Sequence, residues 1–267
     1  MKKTYILLLL TLVLFAGNVF AGITIKGSTT VLPIAQAAAE EFMDQNPDVD
    51  ISVQGGGSSV GLASIIEGTC DIGDASRSIK DKELVLAANK GIKPKAHVVA
   101  MDGIAVIVNS GNGVGNLTIE QIKDIYTGKV SDWSQVGGTG GKIVVISRDS
   151  SSGTYEAFNE LALKKAKVRN DALLSASNQA VVTTVAKTRG AIGYAGLGYL
   201  SEEVKALTVN GVECSKDTVL SGNYPLARPL FMYTNGKPSG DVKSFMDFVL
   251  SAEGQIIVEE QGFVGLK

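Results

Sequence analysis

The sequence predicts an α/β protein of two lobes, and three features predict it. From residue 22 onward, segments with apolar residues at alternate positions take turns with segments of helical period, the pattern that builds largely parallel sheets flanked by helices. Two extended apolar runs, at 98–109 and 224–236, are placed to carry the chain from one lobe to another and back. Four strand-to-helix junctions share loops dense in Ser, Thr and Gly, and in a parallel sheet such loops gather beyond the carboxyl ends of the strands.

Residues 1–21, "MKKTYILLLLTLVLFAGNVFA", join two lysines to an apolar run and a small-residue ending, the layout of a cleavable signal peptide with processing after Ala21. A retained anchor helix is the alternative, but the apolar core from Tyr5 to Ala16 is short against the roughly 20 residues a span needs. The mature chain is then an exported, periplasmic protein starting at Gly22, of about 246 residues, enough for two separate cores.

"GITIKG" reads as the first strand, "STT" as hydroxyls at a helix start, and "VLPIAQAAAEEFMDQNP" as a helix stopped at Asn46-Pro47. "VDISVQGGG" and "SSVGLASIIEG" repeat the unit, and "CDIGDASRS" followed by "KDKELVLAANKG" repeats it again. After the run at 98–109 come an amphipathic helix within "NLTIEQIKDIYTGKVSDW" and a fourth unit, "KIVVISRDSSSGTYEAFNELAL". "NQAVVTTVAKTRGAIGYAGLGYL" gives a helix, a glycine turn and a strand; the run at 224–236 then returns the chain to a helical tail. The expected division is 22–103 plus 234–267 for lobe I and 104–233 for lobe II.

The formal net charge is −2, more negative once Lys2 and Lys3 are removed, and no basic block is present, so nucleic acid is not an expected partner. His97 is the only histidine, which excludes a histidine-rich metal site, and no metal or cofactor is expected. Export would place Cys70 and Cys214 in an oxidising compartment where a disulfide is possible, yet two buried free thiols in different lobes is the expected state.

The hydroxyl loops suggest a ligand. A helix N-terminus presents unpaired N–H groups and a positive dipole end, so it holds an anion without formal charge. "KGSTT", "GGGSSVG" and "SSSGT" each precede a helix, and each alone is accounted for by ordinary capping. Together, with Arg77 and Arg148 in two of the loops, they point to a convergent oxyanion site. A tetrahedral dianion taken out of water needs nearly every oxygen met by a donor, and arginine adds a fixed fork of them. Nucleotide binding is disfavoured, because neither GxxxxGK[ST] nor GxGxxG is present.

In order along the mature chain, "GSTTVLP", "GGGSSVG", "GTCDIGDASR", "NLTIEQIKDIYTGKVSDW", "SRDSSSGT" and "RGAIGY" resemble the phosphate-binding proteins of bacterial phosphate ABC transporters. The resemblance implies a type II periplasmic-binding-protein fold, two α/β lobes with two interlobe crossings and a central ligand cleft. It implies a monomer that captures inorganic phosphate and passes it to the membrane permease of a phosphate ABC transporter. Carried onto matching positions, Thr29, Thr30 and Ser58 would donate from the first two helix starts. Arg148 would pair with phosphate oxygens, and Ser152, Gly153 and Thr154 would donate from the fourth. One departure stands out: where the best-known members place an Asp that accepts the phosphate proton and repels sulfate, this chain has Ser76. Arg77 beside it has two readings, a ligand contact or an ion pair holding the lobes together. Asp74 and Asp149 are nearby carboxylates whose ordinary reading is a loop cap or an arginine partner.

Other tetrahedral oxyanions, sulfate or molybdate, are the alternative ligands. A serine hydrolase is disfavoured, since His97 is the single candidate base and no GxSxG elbow accompanies the serines. With one Trp in the chain, an aromatic sugar platform is disfavoured as well.

Overall fold

The computed structural model describes residues 22–266, so the signal-peptide reading at 1–21 lies outside the described residues. Lobe I begins with β1 (Ile23–Gly27), α1 (Leu32–Gln45), β2 (Ile51–Gly55), α2 (Ser58–Glu67), β3 (Ile72–Ala75) and α3 (Asp81–Asn89). The long β4 (Pro94–Asn109) leads out of it. Lobe II holds β5 (Asn116–Leu117), α4 (Ile119–Thr127), β6 (Val144–Arg148), α5 (Gly153–Leu161), β7 (Leu173–Ser175), α6 (Asn178–Lys187) and β8 (Ala191–Gly196). It continues through β9 (Val204–Ala206), β10 (Thr208–Val209) and α7 (Lys216–Leu220). Then β11 (Ala227–Asn235) returns the chain to α8 (Gly240–Val249) and α9 (Ala252–Glu260).

The strand order is β2-β1-β3-β11-β4-β8-β6-β7, with β9 also on β4. β1 pairs parallel with β2 and β3, whereas β11 is antiparallel to both β3 and β4. On the far side, β8 is antiparallel to β4, and β6 runs parallel to β8 and β7. β4 therefore serves both lobes: residues 94–103 pair with β11, and 104–108 pair with β8.

Each lobe has its own core, as the chain length allows. In lobe I, Ile25, Ile34, Phe42, Met232 and Phe245 pack on one face of the sheet, while Leu62, Ile65, Phe231 and Tyr233 pack on the other. In lobe II, Ile107, Ile125, Tyr126, Phe158 and Tyr194 form the centre, with the Phe158 and Tyr194 rings stacked at 3.9 Å between centroids. Cys214 is buried in this second core, and Cys70 packs at the edge of the Leu62 cluster; both are free thiols.

The return crossing lies earlier than the 233/234 boundary drawn from the sequence. Tyr224 and Leu226 belong to the lobe II core, but Leu230 and Met232 are buried in lobe I, so the chain changes lobes near Ala227. The run at 224–236 is interrupted only by Arg228, which by itself does not mark a change of lobe, and the antiparallel pairing with β4 shows where lobe I begins.

Candidate functional site

The parallel strands β1, β2 and β3 end at Gly27, Gly55 and Ala75, and β6 ends at Arg148; the loops that follow face one another between the lobes. The lobes are closed on each other. Thr30 Oγ1 lies 2.9 Å from Thr154 Oγ1, and the Ser59 N–H donates to the Ser151 carbonyl at 3.0 Å. Two glycines permit this approach. Gly57 sits at φ +99°, and a Cβ there would lie 2.6 Å from the Ser151 carbonyl oxygen. A Cβ on Gly153 would lie 2.2 Å from Ser58 Oγ and 2.8 Å from Ser76 Oγ, so the N-terminus of α5 in lobe II abuts two lobe I hydroxyls.

Arg148 is the cation of this cluster, with 2 % of its surface exposed. Its Nε donates to the Ser175 carbonyl at 3.0 Å, and its Nη2 donates to the Ala176 carbonyl at 3.0 Å and to Thr29 Oγ1 at 3.2 Å. Nη1 is buried with no hydrogen-bond partner. Among the described residues no carboxylate forms an ion pair with Arg148. Burial pulls its pKa below the ordinary arginine value, yet a guanidinium stays charged in proteins. A buried, unpaired cation with an idle donor is costly unless an anion meets it. Tyr194 holds the backbone in place: its hydroxyl accepts the Arg148 N–H at 3.1 Å and lies 3.0 Å from Ser147 Oγ.

The hydroxyls around Arg148 are buried and mutually bonded. Ser28 Oγ accepts the Thr30 N–H at 3.1 Å, shaping the turn into α1, and the Tyr199 hydroxyl donates to the Thr29 carbonyl. Thr29 Oγ1 and Thr30 Oγ1 accept the two amide hydrogens of Asn178 at 3.1 and 3.0 Å. Ser58 Oγ accepts the Ser76 N–H at 2.9 Å and lies 3.3 Å from Ser76 Oγ. Ser152 is the N-cap of α5, where its Oγ accepts the Tyr155 N–H at 3.1 Å; capping uses a lone pair and leaves its O–H to donate.

A second buried arginine borders the cluster. Arg228 on β11 pairs with Asp102 on β4, its Nε and Nη2 at 3.0 and 2.8 Å from Asp102 Oδ2. Nη2 also reaches Thr154 Oγ1 at 3.0 Å and Thr30 Oγ1 at 3.3 Å, and Nη1 donates to the Ser76 carbonyl at 3.1 Å. Asp102 is fully buried; burial pushes its carboxyl above the usual value while Arg228 pulls the other way, and its Oδ1 accepts the Leu197 N–H at 2.9 Å.

Of the residues expected from the sequence, the structure gathers Thr29, Thr30, Ser58, Ser76, Arg148, Ser152, Gly153 and Thr154 around one interlobe point. Arg77 is engaged elsewhere. Its guanidinium lies 2.8 Å from Glu83 of α3 and 2.8 Å from Glu156 of α5, and Lys80 Nζ meets the same Glu156 at 2.6 Å. Of its two readings, the ion pair across the lobes is the one with contacts. Asp149 caps its own loop by accepting the Ser151 N–H at 2.8 Å, and Asp74 is buried on β3 with Oδ1 unpartnered. Asn178, Asp102 and Arg228 were missed. Asn178 stands one residue after a Ser cap and reads as helix start; Arg228 is a lone cation inside "YPLARPLFMYT", a buried-strand pattern in which an unpaired charge is out of place.

A model of the PBP superfamily domain matches residues 16–253. The chain is 38 % identical over 247 residues to the phosphate-binding protein PstS of Bacillus subtilis, covering 91 % of this chain and 80 % of that one. It is 35 % identical over 257 residues to the PstS of Borreliella burgdorferi, covering 92 % and 90 %. Among solved structures, a phosphate ABC transporter substrate-binding protein from Clostridium perfringens with bound phosphate superposes with a TM-score of 0.86 at 38 % identity, over 92 % of this chain and all of that one. An ABC-type phosphate transport receptor from Vibrio cholerae gives 0.75 at 32 %, over 91 % and 99 %.

Proposed function

This chain belongs to the family of PstS phosphate-binding proteins, and on that premise we propose that it is an exported receptor. It captures inorganic phosphate between its lobes and delivers it to the membrane permease of a phosphate ABC transporter. The observation that carries the reading is the idle Nη1 of Arg148, buried without a carboxylate partner on a guanidinium whose Nη2 reaches Thr29 just before α1. Thr29, Thr30, Ser58, Ser76, Ser152, Gly153 and Thr154 complete the donor set, and the receptor works as a monomer. Binding draws the lobes together because the donors come from both, so the closed form is the liganded form. No catalytic step is assigned: His97 Nε2 is taken up by Thr234 Oγ1 at 2.9 Å within the lobe I sheet, away from the serine loops in sequence and in pairing.

The test is calorimetric titration of the mature protein, refolded free of endogenous ligand, with phosphate and then with sulfate and molybdate. Tight binding of phosphate supports the reading. Binding of sulfate or molybdate with phosphate weak would show that Ser76, in place of a carboxylate, has moved the receptor to another oxyanion.

A further inference from the structure

A second cleft lies at the opposite end of lobe II from Arg148. It encloses about 290 Å³ between three loops, one after β4, one before β6 and one before β8. β6 and β8 run parallel, so both begin at this cleft and end toward the interlobe site, β6 after five residues at Arg148. At about 3.3 Å per residue the two sites are roughly 15 Å apart or more, and they share no residue.

The groups lining this cleft are donors, and the acceptors beside it are already used. Asn112 is buried, with 9 % of its surface exposed. Its Oδ1 accepts the Val114 N–H at 2.9 Å, which fixes the amide, and its carbonyl accepts from Lys205 Nζ. The Nδ2 group is left over, two N–H donors with no partner among the described residues. Lys142 and Arg189 are exposed, and neither side chain has an ion pair or hydrogen bond among the described residues. The backbone N–H groups of Gly113, Gly140 and Gly190 are likewise without a partner there. By contrast, the Gly190 carbonyl takes the Val144 N–H at 3.0 Å and the Trp133 Nε1–H at 3.1 Å. The Asp132 carboxylate takes the Ser134 N–H at 2.9 Å, the Ser134 O–H at 2.7 Å and the Gly141 N–H at 3.1 Å. Asp171, whose charge reaches Lys142, is paired with Arg169 at 2.6 Å. A glycine holds the loops together, since a Cβ on Gly190 would lie 2.6 Å from the Lys142 carbonyl oxygen.

We propose that this cleft is a second anion site, which takes a small soluble polyanion of linked phosphoryl groups such as pyrophosphate or tripolyphosphate. Two cations and a buried amide, carried on three separate loops, supply charged and neutral donors together. Unpartnered backbone N–H groups in turns add a concavity that favours negative charge. A single tetrahedral ion fills only a small part of a 290 Å³ cleft, which is close to the size at which small-molecule sites begin. A chain of two or three phosphoryl groups can meet Asn112, Lys142 and Arg189 at once. Nothing in this cleft depends on which anion the interlobe site holds.

The test is calorimetric titration of the mature protein, saturated with inorganic phosphate to fill the interlobe site, with pyrophosphate and with tripolyphosphate. The wild type is expected to bind one equivalent of either, tripolyphosphate more tightly, with affinity falling as salt is raised to about 0.15 M. Asn112→Asp keeps the acceptor for the Val114 N–H and turns the donor amide into a carboxylate. The double variant Lys142→Gln, Arg189→Gln removes both charges. Each should weaken polyanion binding about tenfold or more, while phosphate binding at the interlobe site stays within about twofold of wild type. A double variant on lobe I, Lys95→Gln, Lys237→Gln, changes the net charge equally and should leave polyanion binding as it was. Failure of the wild type to bind either polyanion overturns the proposal. So does an Asn112→Asp protein that binds them like wild type, or a loss of the same size in the lobe I variant, which would mark a general charge effect. Phosphatidylglycerol vesicles present the other source of phosphoryl groups: a wild type that sediments with them but ignores both free polyanions overturns the assignment to a soluble ligand. A wild type that binds the polyanions but gives no heat with phosphate alone would support this site and remove the functional reading of the interlobe one.

Discussion

Replacing Arg148 with Ala tests the site at its centre. The guanidinium is buried, its Nε and Nη2 are spent on the Ser175 and Ala176 carbonyls and on Thr29, and its Nη1 is idle. An anion bound there would receive a charge-assisted bond in a desolvated setting, and truncating one partner of such a pair costs roughly 2 to 5 kcal/mol. At about 1.4 kcal/mol per tenfold, the dissociation constant should rise from about 30-fold to several thousandfold. The ligand-free protein responds differently. It loses an uncompensated buried cation, which is favourable, and strands two carbonyls at about 1 to 3 kcal/mol each, so part of the loss is offset. The expected pattern is a modest change in Tm without phosphate and a nearly complete loss of the Tm increase that phosphate gives the wild type, read by calorimetric unfolding and titration. An Arg148→Ala protein that binds phosphate within about threefold of wild type would refute the placement of the anion at Nη1.

Three further outcomes are expected. Glu156→Gln removes the carboxylate that ties Arg77 and Lys80 of lobe I to α5 of lobe II, so closure weakens: affinity should drop about fivefold, equivalent to about 1 kcal/mol, and the difference should shrink at high salt. Equal affinity of variant and wild type at low salt would show that these pairs do not contribute to closure. Asp74→Asn concerns stability alone. The carboxyl is buried with an unpartnered oxygen, and burial raises its pKa well above the ordinary value. A raised folded-state pKa means that its contribution is full below the unfolded value, about 3.9, and is lost as pH rises through the folded one. The variant should therefore gain Tm over wild type near pH 8 and little near pH 4; a pH-independent difference would contradict the buried charge. Finally, burial pushes both Cys70 and Cys214 up to about 12, so a thiol reagent should find two thiols in the denatured, unreduced protein and react slowly with the native one.

The strand and helix pattern was legible because it is local. Ile25 and Ile72 alternate with outward or opposite-facing neighbours, α4 opens on a Thr118 cap whose Oγ1 accepts the Gln121 N–H, and each glycine-hydroxyl loop marks a strand end. The loops that hold Thr29, Thr30, Ser58, Arg148 and Thr154 were likewise legible, the individual positions came from the family resemblance, and the structure brings those loops together. What stayed hidden depends on pairing between distant strands. The crossing at Ala227 looks like any residue of an extended run until β11 is set against β4, and Arg77 could be weighed as ligand contact or latch only until Glu156 was brought opposite it from α5. Asn178 is spaced 148 residues from Thr30, with nothing in either segment to announce the bond.

The Asp102–Arg228 pair shows why the hinge and the site cannot be considered apart. The two residues are cross-strand partners on the two segments that join the lobes, immediately beside the point where β4 exchanges β11 for β8 as its neighbour. From that position Arg228 reaches Thr30 of lobe I, Thr154 of lobe II and the carbonyl of Ser76 at once. Opening the lobes must separate Thr30 from Thr154, and Arg228 cannot keep both contacts when that happens. The donors are therefore aligned only when the crossings have their closed geometry, so closure assembles the binding site as well as covering it. An anion that needs the aligned donors stabilises the closed form by its preference for it, and one that does not gains little from closure. The alignment of these hydroxyls and the movement of the lobes thus draw on the same buried pair.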